Sequence, residues 1–143
     1  MLKHLIPLAS MKVSGRSMLP SFSPDERVVV NRAAYWMRKP QQGDVVVLRH
    51  PESHIPLIKR VVAGPRERVL LREGHFYVNG RRIEGPYLTQ AAFGKDEQAS
   101  WLVPHQRYFV LGDNPYASTD SRHFGSVHQR RIIGKVLGTL PQE

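Results

Sequence analysis

The chain has no cysteine, which removes a disulfide scaffold, a thiolate metal site and a cysteine nucleophile together. It also lacks any apolar run approaching the ~20 residues that a membrane-crossing helix needs. The opening stretch Met1–Met11 carries Lys3 and His4 and is interrupted by Pro7; only its Leu5–Ala9 core is loosely like a secretory leader. The expectation is therefore a cytoplasmic chain without a transmembrane anchor, with peripheral contact between Met1–Leu8 and a lipid surface left open. Acidic residues are scarce as well. Twelve Asp and Glu face 21 Lys and Arg, a net charge of +9, and such an excess attracts nucleic acid, anionic lipid and acidic peptide alike.

What is present is a globular composition, 41% hydrophobic in 143 residues, the size of one domain. The text from residue 27 onward is a succession of short β-branched runs: Arg27–Asn31, Asp44–Arg49, Pro56–Ala63, Arg68–Leu71, His75–Asn79, Tyr108–Gly112 and Ile132–Leu137. Their composition is that of strands. Asn79-Gly80 marks a hairpin leading into Arg81–Ile83, and Gly43-Asp44 and Gly64-Pro65 mark corners. Only Ala33–Arg38 reads as helical, for a turn or two. Many closely spaced strands without long helices between them predict an all-β, barrel-like or sandwich domain. Residues 1–12 read as a short arm and 84–104 as a surface loop between strands.

Three stretches carry chemistry. In Ser14-Gly15-Arg16-Ser17-Met18-Leu19-Pro20, a serine sits between a glycine turn and a stiffening proline. The second glycine of a nucleophile elbow is missing, so an α/β-hydrolase is excluded. In Pro56–Val62, strand alternation sets Leu57, Lys59 and Val61 on one face and Ile58, Arg60 and Val62 on the other. Lys59 then has apolar neighbours, while Arg60 is free to face water. A lysine so placed either snorkels to solvent or, if buried, loses its charge and becomes a general base for a serine hydroxyl. The third stretch, Gly112–Gly125, is dense in turn-forming polar residues. It reads either as a self-bonded loop or as one braced by buried pairs: Asp120 with Arg122, or Asp113 with a basic group. In the second case Ser118 would be placed to orient Lys59.

Taken in order, these stretches resemble the signal peptidase family of Ser–Lys serine proteases. Ser17-Met18-Leu19-Pro20 is similar to the family's nucleophile box and Leu57–Val62 to its lysine box. Gly112-Asp113-Asn114 through Ser118, Asp120-Ser121-Arg122 and Phe124-Gly125 resembles its signature loop. Tyr77–Gly80 and Ile133-Gly134-Lys135 match weaker landmarks, so the likeness runs from Val13 to Leu137. The resemblance implies a mainly β, signal-peptidase/LexA-like coiled barrel of antiparallel strands with one short helix. It implies a single peptidase domain over 1–143 and a serine endopeptidase without metal or cofactor. Ser17 would be the nucleophile, its backbone N–H an oxyanion donor, and Lys59 the base. Ser118 would orient the lysine, Asp120 and Arg122 would brace the site, and Met18 would border the substrate. Where one bacterial branch adds a hydroxyl to the oxyanion hole this chain has Gly15, so the second donor is open, with Ser14 a candidate. The loop version with Pro115 is most like that of the family's maturation proteases for nickel-type superoxide dismutase. This implies a precursor protein with an N-terminal extension as substrate.

Rival readings fare worse on the residues. His50/His54 and His123/His128 form pairs, but the first lies among prolines and lacks the intervening Glu of a zinc helix. A Ser17–His123–Asp113 triad has no spacing in its favour. A basic OB-like nucleic-acid module, with Phe76 and Tyr77 as stacking platforms and Arg81-Arg82 and Arg130-Arg131 tracking phosphates, competes with a solvated basic shell. No nucleic-acid partner is expected.

Overall fold

In the computed structural model, residues 7–85 and 98–141 are described. Among them the β-branched runs become strands: β1 (Leu8–Lys12), β2 (Arg27–Asn31), β3 (Val45–Arg49), β4 (Pro56–Ala63), β5 (Arg68–Arg72) and β6 (His75–Val78). They are followed by β7 (Arg81–Arg82), β8 (Ala99–Leu102), β9 (Arg107–Leu111), the short helix α1 (Ser121–Phe124), β10 (Val127–His128) and β11 (Ile132–Thr139). A seven-stranded sheet has the order β1-β2-β11-β3-β4-β9-β10, and a four-stranded sheet the order β7-β6-β5-β8. All pairings are antiparallel. The mainly β architecture is the one the sequence predicts.

Alternation along the strands sorts the apolar side chains into separate packed groups. Val28 and Val30 of β2, Val45 and Val47 of β3 and Ile58 of β4 bury against Val13, Met18 and Val136. The other face of β3 and β4 contributes Val46, Leu48 and Val61, which pack with Tyr108, Val110 and Val127. The small sheet closes over Val62, Ala63, Phe109 and Leu111 through Val69, Leu71, Phe76 and Val78. At ~25 cal/mol per Å² of apolar surface removed from water, these valines and phenylalanines are what make the strands cohere.

Several local expectations are corrected. Ala33–Arg38 forms turns rather than a helix. The Asn31 side chain accepts from the Ala33 amide (2.9 Å), an Asx turn that competes with helical bonding, and six residues are too few to outweigh nucleation. The helix lies instead at Ser121–Phe124, started by Asp120 in a capping box with His123. The arm at 1–12 contains β1, which pairs with β2 from Leu8↔Asn31 to Lys12↔Arg27. The loop at 84–104 contains β8, which pairs with β5; its residues 86–97 lie outside the described ones. The Asn79-Gly80 turn has positive φ at both positions (50° and 81°), the twist that a two-residue hairpin requires.

The register of β4 shapes the surroundings of Lys59. Strand β4 pairs with β3 along Pro56–Arg60, but β9 joins it only from Arg60↔Leu111 onward. After Leu111 the chain leaves the sheet as Gly112-Asp113-Asn114. The Pro56–Lys59 half of β4 therefore has a sheet partner on one side only.

Candidate active site

The segment carrying Ser17 lies between β1 and β2 and is tied to the loop after β9. The Asn114 amide donates to the Ser17 carbonyl (2.8 Å), and the Asn114 side-chain amide donates to the Arg16 carbonyl (3.0 Å). Met18 anchors the segment from below, 2% exposed in the core beside Val13 and Ile58. A cavity of about 130 Å³ opens beside it, bordered by Ser14, Ser17 and Met18 on one wall and by Ile55–Lys59 on the other. Ser17 and Lys59, 42 residues apart in the chain, thus line one cavity.

Lys59 is 3% exposed, so its side chain does not snorkel to solvent. Its same-face neighbours Leu57 and Val61 pack with Val46 and Tyr108. Burial pulls its pKa below the ordinary 10.5, because a low-dielectric setting disfavours the ammonium. Asp120 pushes it back up, Arg122 pushes it down and Asp113 pushes it up, each less than burial does. Among the described residues no hydrogen bond is made by the Lys59 amine, the Ser17 hydroxyl or the Ser17 amide. The amine, the hydroxyl and the amide are thus unengaged beside one cavity.

Two buried carboxylates brace the surroundings. Asp113, fully buried, accepts from Arg60 Nε (2.9 Å) and Nη2 (2.8 Å) and from the Ser21 hydroxyl. Arg60 Nη1 in turn donates to the Gly43 carbonyl (2.9 Å). Arg60 therefore does not face water. Its fork, a planar donor pair matched to a carboxylate, is what allows a charged residue on the inner side of β4. Asp120, also fully buried, accepts from the Gly112 amide (3.0 Å), the Ser118 hydroxyl (2.7 Å), and Arg122 Nε (2.9 Å) and Nη2 (3.0 Å). The Ser121 hydroxyl accepts from the Val110 amide (2.9 Å) and pins the start of α1 to β9.

Ser118 gives its proton to Asp120 here, which leaves the lone pairs of its oxygen for an amine. Gly112 sits where any side chain would overlap the Ser118 hydroxyl and come within 2.7 Å of the Ser17 carbonyl oxygen. That close approach brings Ser17 and Ser118 to a single backbone position. Ser14 is exposed and borders the cavity. Met18 borders it too, but as a core residue.

The rival groupings are not assembled. His123 Nδ1 accepts from the Asp120 amide (3.2 Å) and Asp113 is committed to Arg60, so neither forms a triad with Ser17. His50 Nδ1 accepts from the Glu52 and Ser53 amides and its ring meets Phe124 edge-on at 5.1 Å. Among the described residues no cluster of three or more His, Asp or Glu is arranged to hold a metal ion. The sequence reading missed Arg60 as the partner of Asp113, and Asn114 and Gly112 as the residues that fasten the serine segment. The sequence signals for the first were the expected pairing of Asp113 with some basic group and a charged residue among apolar strand neighbours.

Comparison with known proteins gives a consistent picture. The family model described as signal peptidase, peptidase S26, matches residues 2–140. Signal peptidase I V of Bacillus subtilis (strain 168) is 34% identical over 137 residues, covering 87% of this chain and 81% of that protein. Signal peptidase IB of Staphylococcus aureus (strain COL) is 32% identical over 142 residues, covering 87% and 73%. A crystal structure of a signal peptidase I from Enterococcus faecalis V583 matches with a TM-score of 0.57 and 33% identity, over 73% of this chain and 98% of that one.

Proposed function

The chain belongs to the signal peptidase family, peptidase S26, and from that premise we propose that this serine endopeptidase works through a Ser17–Lys59 dyad. The observation that carries the reading is a buried lysine with a lowered pKa lining the same small cavity as a serine whose hydroxyl and amide are both unengaged.

The half-paired edge of β4 at Pro56–Lys59 offers backbone groups to an extended substrate strand, which holds a peptide in register. Neutral Lys59 takes the Ser17 proton as the hydroxyl oxygen attacks the scissile carbonyl. The Ser17 amide donates to the developing oxyanion, and Ser14 is the candidate second donor. The lysine returns the proton to the leaving amine, then takes one from the water that attacks the acyl-enzyme and delivers it to the Ser17 oxygen as the acid product departs. Ser118 acts as acceptor for the amine, while Asp120 and Arg122 hold Ser118 in place.

The substrate proposed is a precursor protein carrying an N-terminal extension, specifically the precursor of nickel-type superoxide dismutase. The support for this specificity is the loop Asn114-Pro115-Tyr116-Ala117-Ser118-Thr119-Asp120-Ser121-Arg122 and its likeness to that branch of the family. The signal peptidases I among its relatives favour a second substrate class, secretory precursors with signal peptides. The test is incubation with each precursor, with the new N-terminus read by mass spectrometry. Cleavage of the dismutase precursor by the wild type, lost in Ser17→Ala and in Lys59→Arg, is the expected result. Cleavage of the secretory precursor alone would reassign the substrate, and activity retained in Lys59→Arg would remove the lysine from the mechanism.

A further inference from the structure

One group of cations lies away from the residues assigned to catalysis. A cavity of about 430 Å³ is lined by Lys39, Pro65, Arg66, His105, Gln106 and Gln129. It lies at the end of β9 opposite to the active site: Arg107 begins that strand and Asp113 follows its end, about 15–20 Å apart at the rise of an extended chain. Strand β10 adds to the same side, because His128 pairs with Arg107 and the turn Gln129–Arg131 follows it.

Among the described residues none of these cations has a carboxylate partner. Among the described residues no ion pair involves Lys39, Arg66, Arg107, Arg130 or Arg131. The neighbouring acid in sequence, Glu67, is turned onto the Gly64 amide (2.7 Å). His128 shows how crowded the charge is. Partial burial first, and then Arg130, Arg107, Arg131 and His105, all hold its pKa below the usual imidazole value. Like charges gathered without counter-charges repel one another, and an anion placed among them is bound at the expense of that repulsion.

The surroundings discriminate among anions. Among the described residues no exposed aromatic borders the cavity to stack a nucleic-acid base; Tyr108, close by on β9, is 1% exposed. Among the described residues no exposed large apolar side chain lines it either, the kind of apolar face by which an interfacial surface enters lipid. What it offers beside the charges is a pair of carboxamides, Gln106 and Gln129, suited to carboxylate and peptide groups.

We propose that this basic cavity is a docking site for an acidic segment of the protein substrate, distant from the bond that is cut. This rests on the reading of the chain as a protease of precursor proteins and adds to it a second point of attachment. An extended chain of about five or six residues spans the separation, so a precursor whose acidic surface lies that far from its cleavage site engages both. Such an attachment changes affinity and encounter rate rather than the chemical step.

The test uses fluorescein-labelled hexaglutamate, with hexaglutamine and a hexanucleotide of mixed sequence as controls, and the variant Arg66→Gln/Arg130→Gln/Arg131→Gln. Anisotropy at low salt is expected to show hexaglutamate bound by the wild type. The affinity should fall about tenfold or more in the variant and at high salt, with hexaglutamine unbound. Cleavage of a short uncharged peptide should be the same in both proteins, which also establishes that the variant is folded. Hexaglutamate held equally by both proteins would overturn the proposal, as would a hexanucleotide held more tightly than hexaglutamate and released by the variant. If hexaglutamate behaves as expected while Ser17→Ala leaves peptide cleavage intact, the proposed dyad fails and the docking site stands as an anion site.

Discussion

Asp113 is the residue whose removal tests the most of this architecture. Its carboxylate is fully buried and faces an Arg60 guanidinium that is itself 18% exposed, with two short N–H···O bonds and the Ser21 hydroxyl completing its coordination. Truncation to alanine leaves a largely buried guanidinium without the carboxylate it faces. Breaking a buried pair in this way costs about 3–5 kcal/mol, a large part of the ~5–15 kcal/mol that holds a typical domain together. Urea denaturation of Asp113→Ala is expected to show a loss of that size, with an unchanged dependence on denaturant. Asp113→Asn keeps the shape and one acceptor, and should lose less. The double variant Arg60→Met/Asp113→Leu removes both charges and should be more stable than Asp113→Ala alone, because no unpaired ion remains. A loss below ~1 kcal/mol in Asp113→Ala, or a double variant no better than the single one, would refute the claim that this pair anchors the loop after β9 to β4.

The remaining predictions concern the site itself. Since burial lowers the Lys59 pKa, the unfolded chain takes up a proton at pH values where the folded chain does not, and stability rises with pH toward the ordinary value. Lys59→Met should accordingly be inactive yet more stable at neutral pH, with the largest gain in melting temperature on the acid side and none above the ordinary lysine range. A variant less stable than wild type throughout would contradict the buried-amine reading. The same shift predicts that peptide cleavage falls on acidification with an apparent pKa below 10.5, seen in kcat/KM against pH. A pH profile with no such limb would exclude an amine base. Gly112→Ala places a methyl group 2.7 Å from the Ser17 carbonyl oxygen and against Ser118. Turnover should fall by tenfold or more while the far-UV spectrum is unchanged, and wild-type turnover would show that the serine segment shifts freely.

How much of this could be read from the sequence differs by element. The strands at Arg27–Asn31 and Pro56–Ala63 declared themselves because β-branched residues alternate or cluster over short spans bounded by turns, and their observed limits are the expected ones. β1 and β8 did not, since LASMK and ASWL have little β-branched content and become strands by pairing with β2 and β5. The short helix was misplaced for a related reason. AAYWMR has the helical composition, but Ser121–Phe124 has the cap, and in four residues the cap decides.

Sequence by itself determined the mainly β class, the hairpin at Asn79-Gly80 and the three stretches that hold the candidate site residues, because each is encoded by near neighbours in the chain. Tertiary structure alone decided that Lys59 is buried, that Arg60 turns inward to Asp113, and that Ser17 and Lys59 border the same 130 Å³ space. Burial, ion pairing and the depression of an amine's pKa arise between segments that meet only when the sheet closes, and a local pattern of residues does not encode which distant segment will exclude the water.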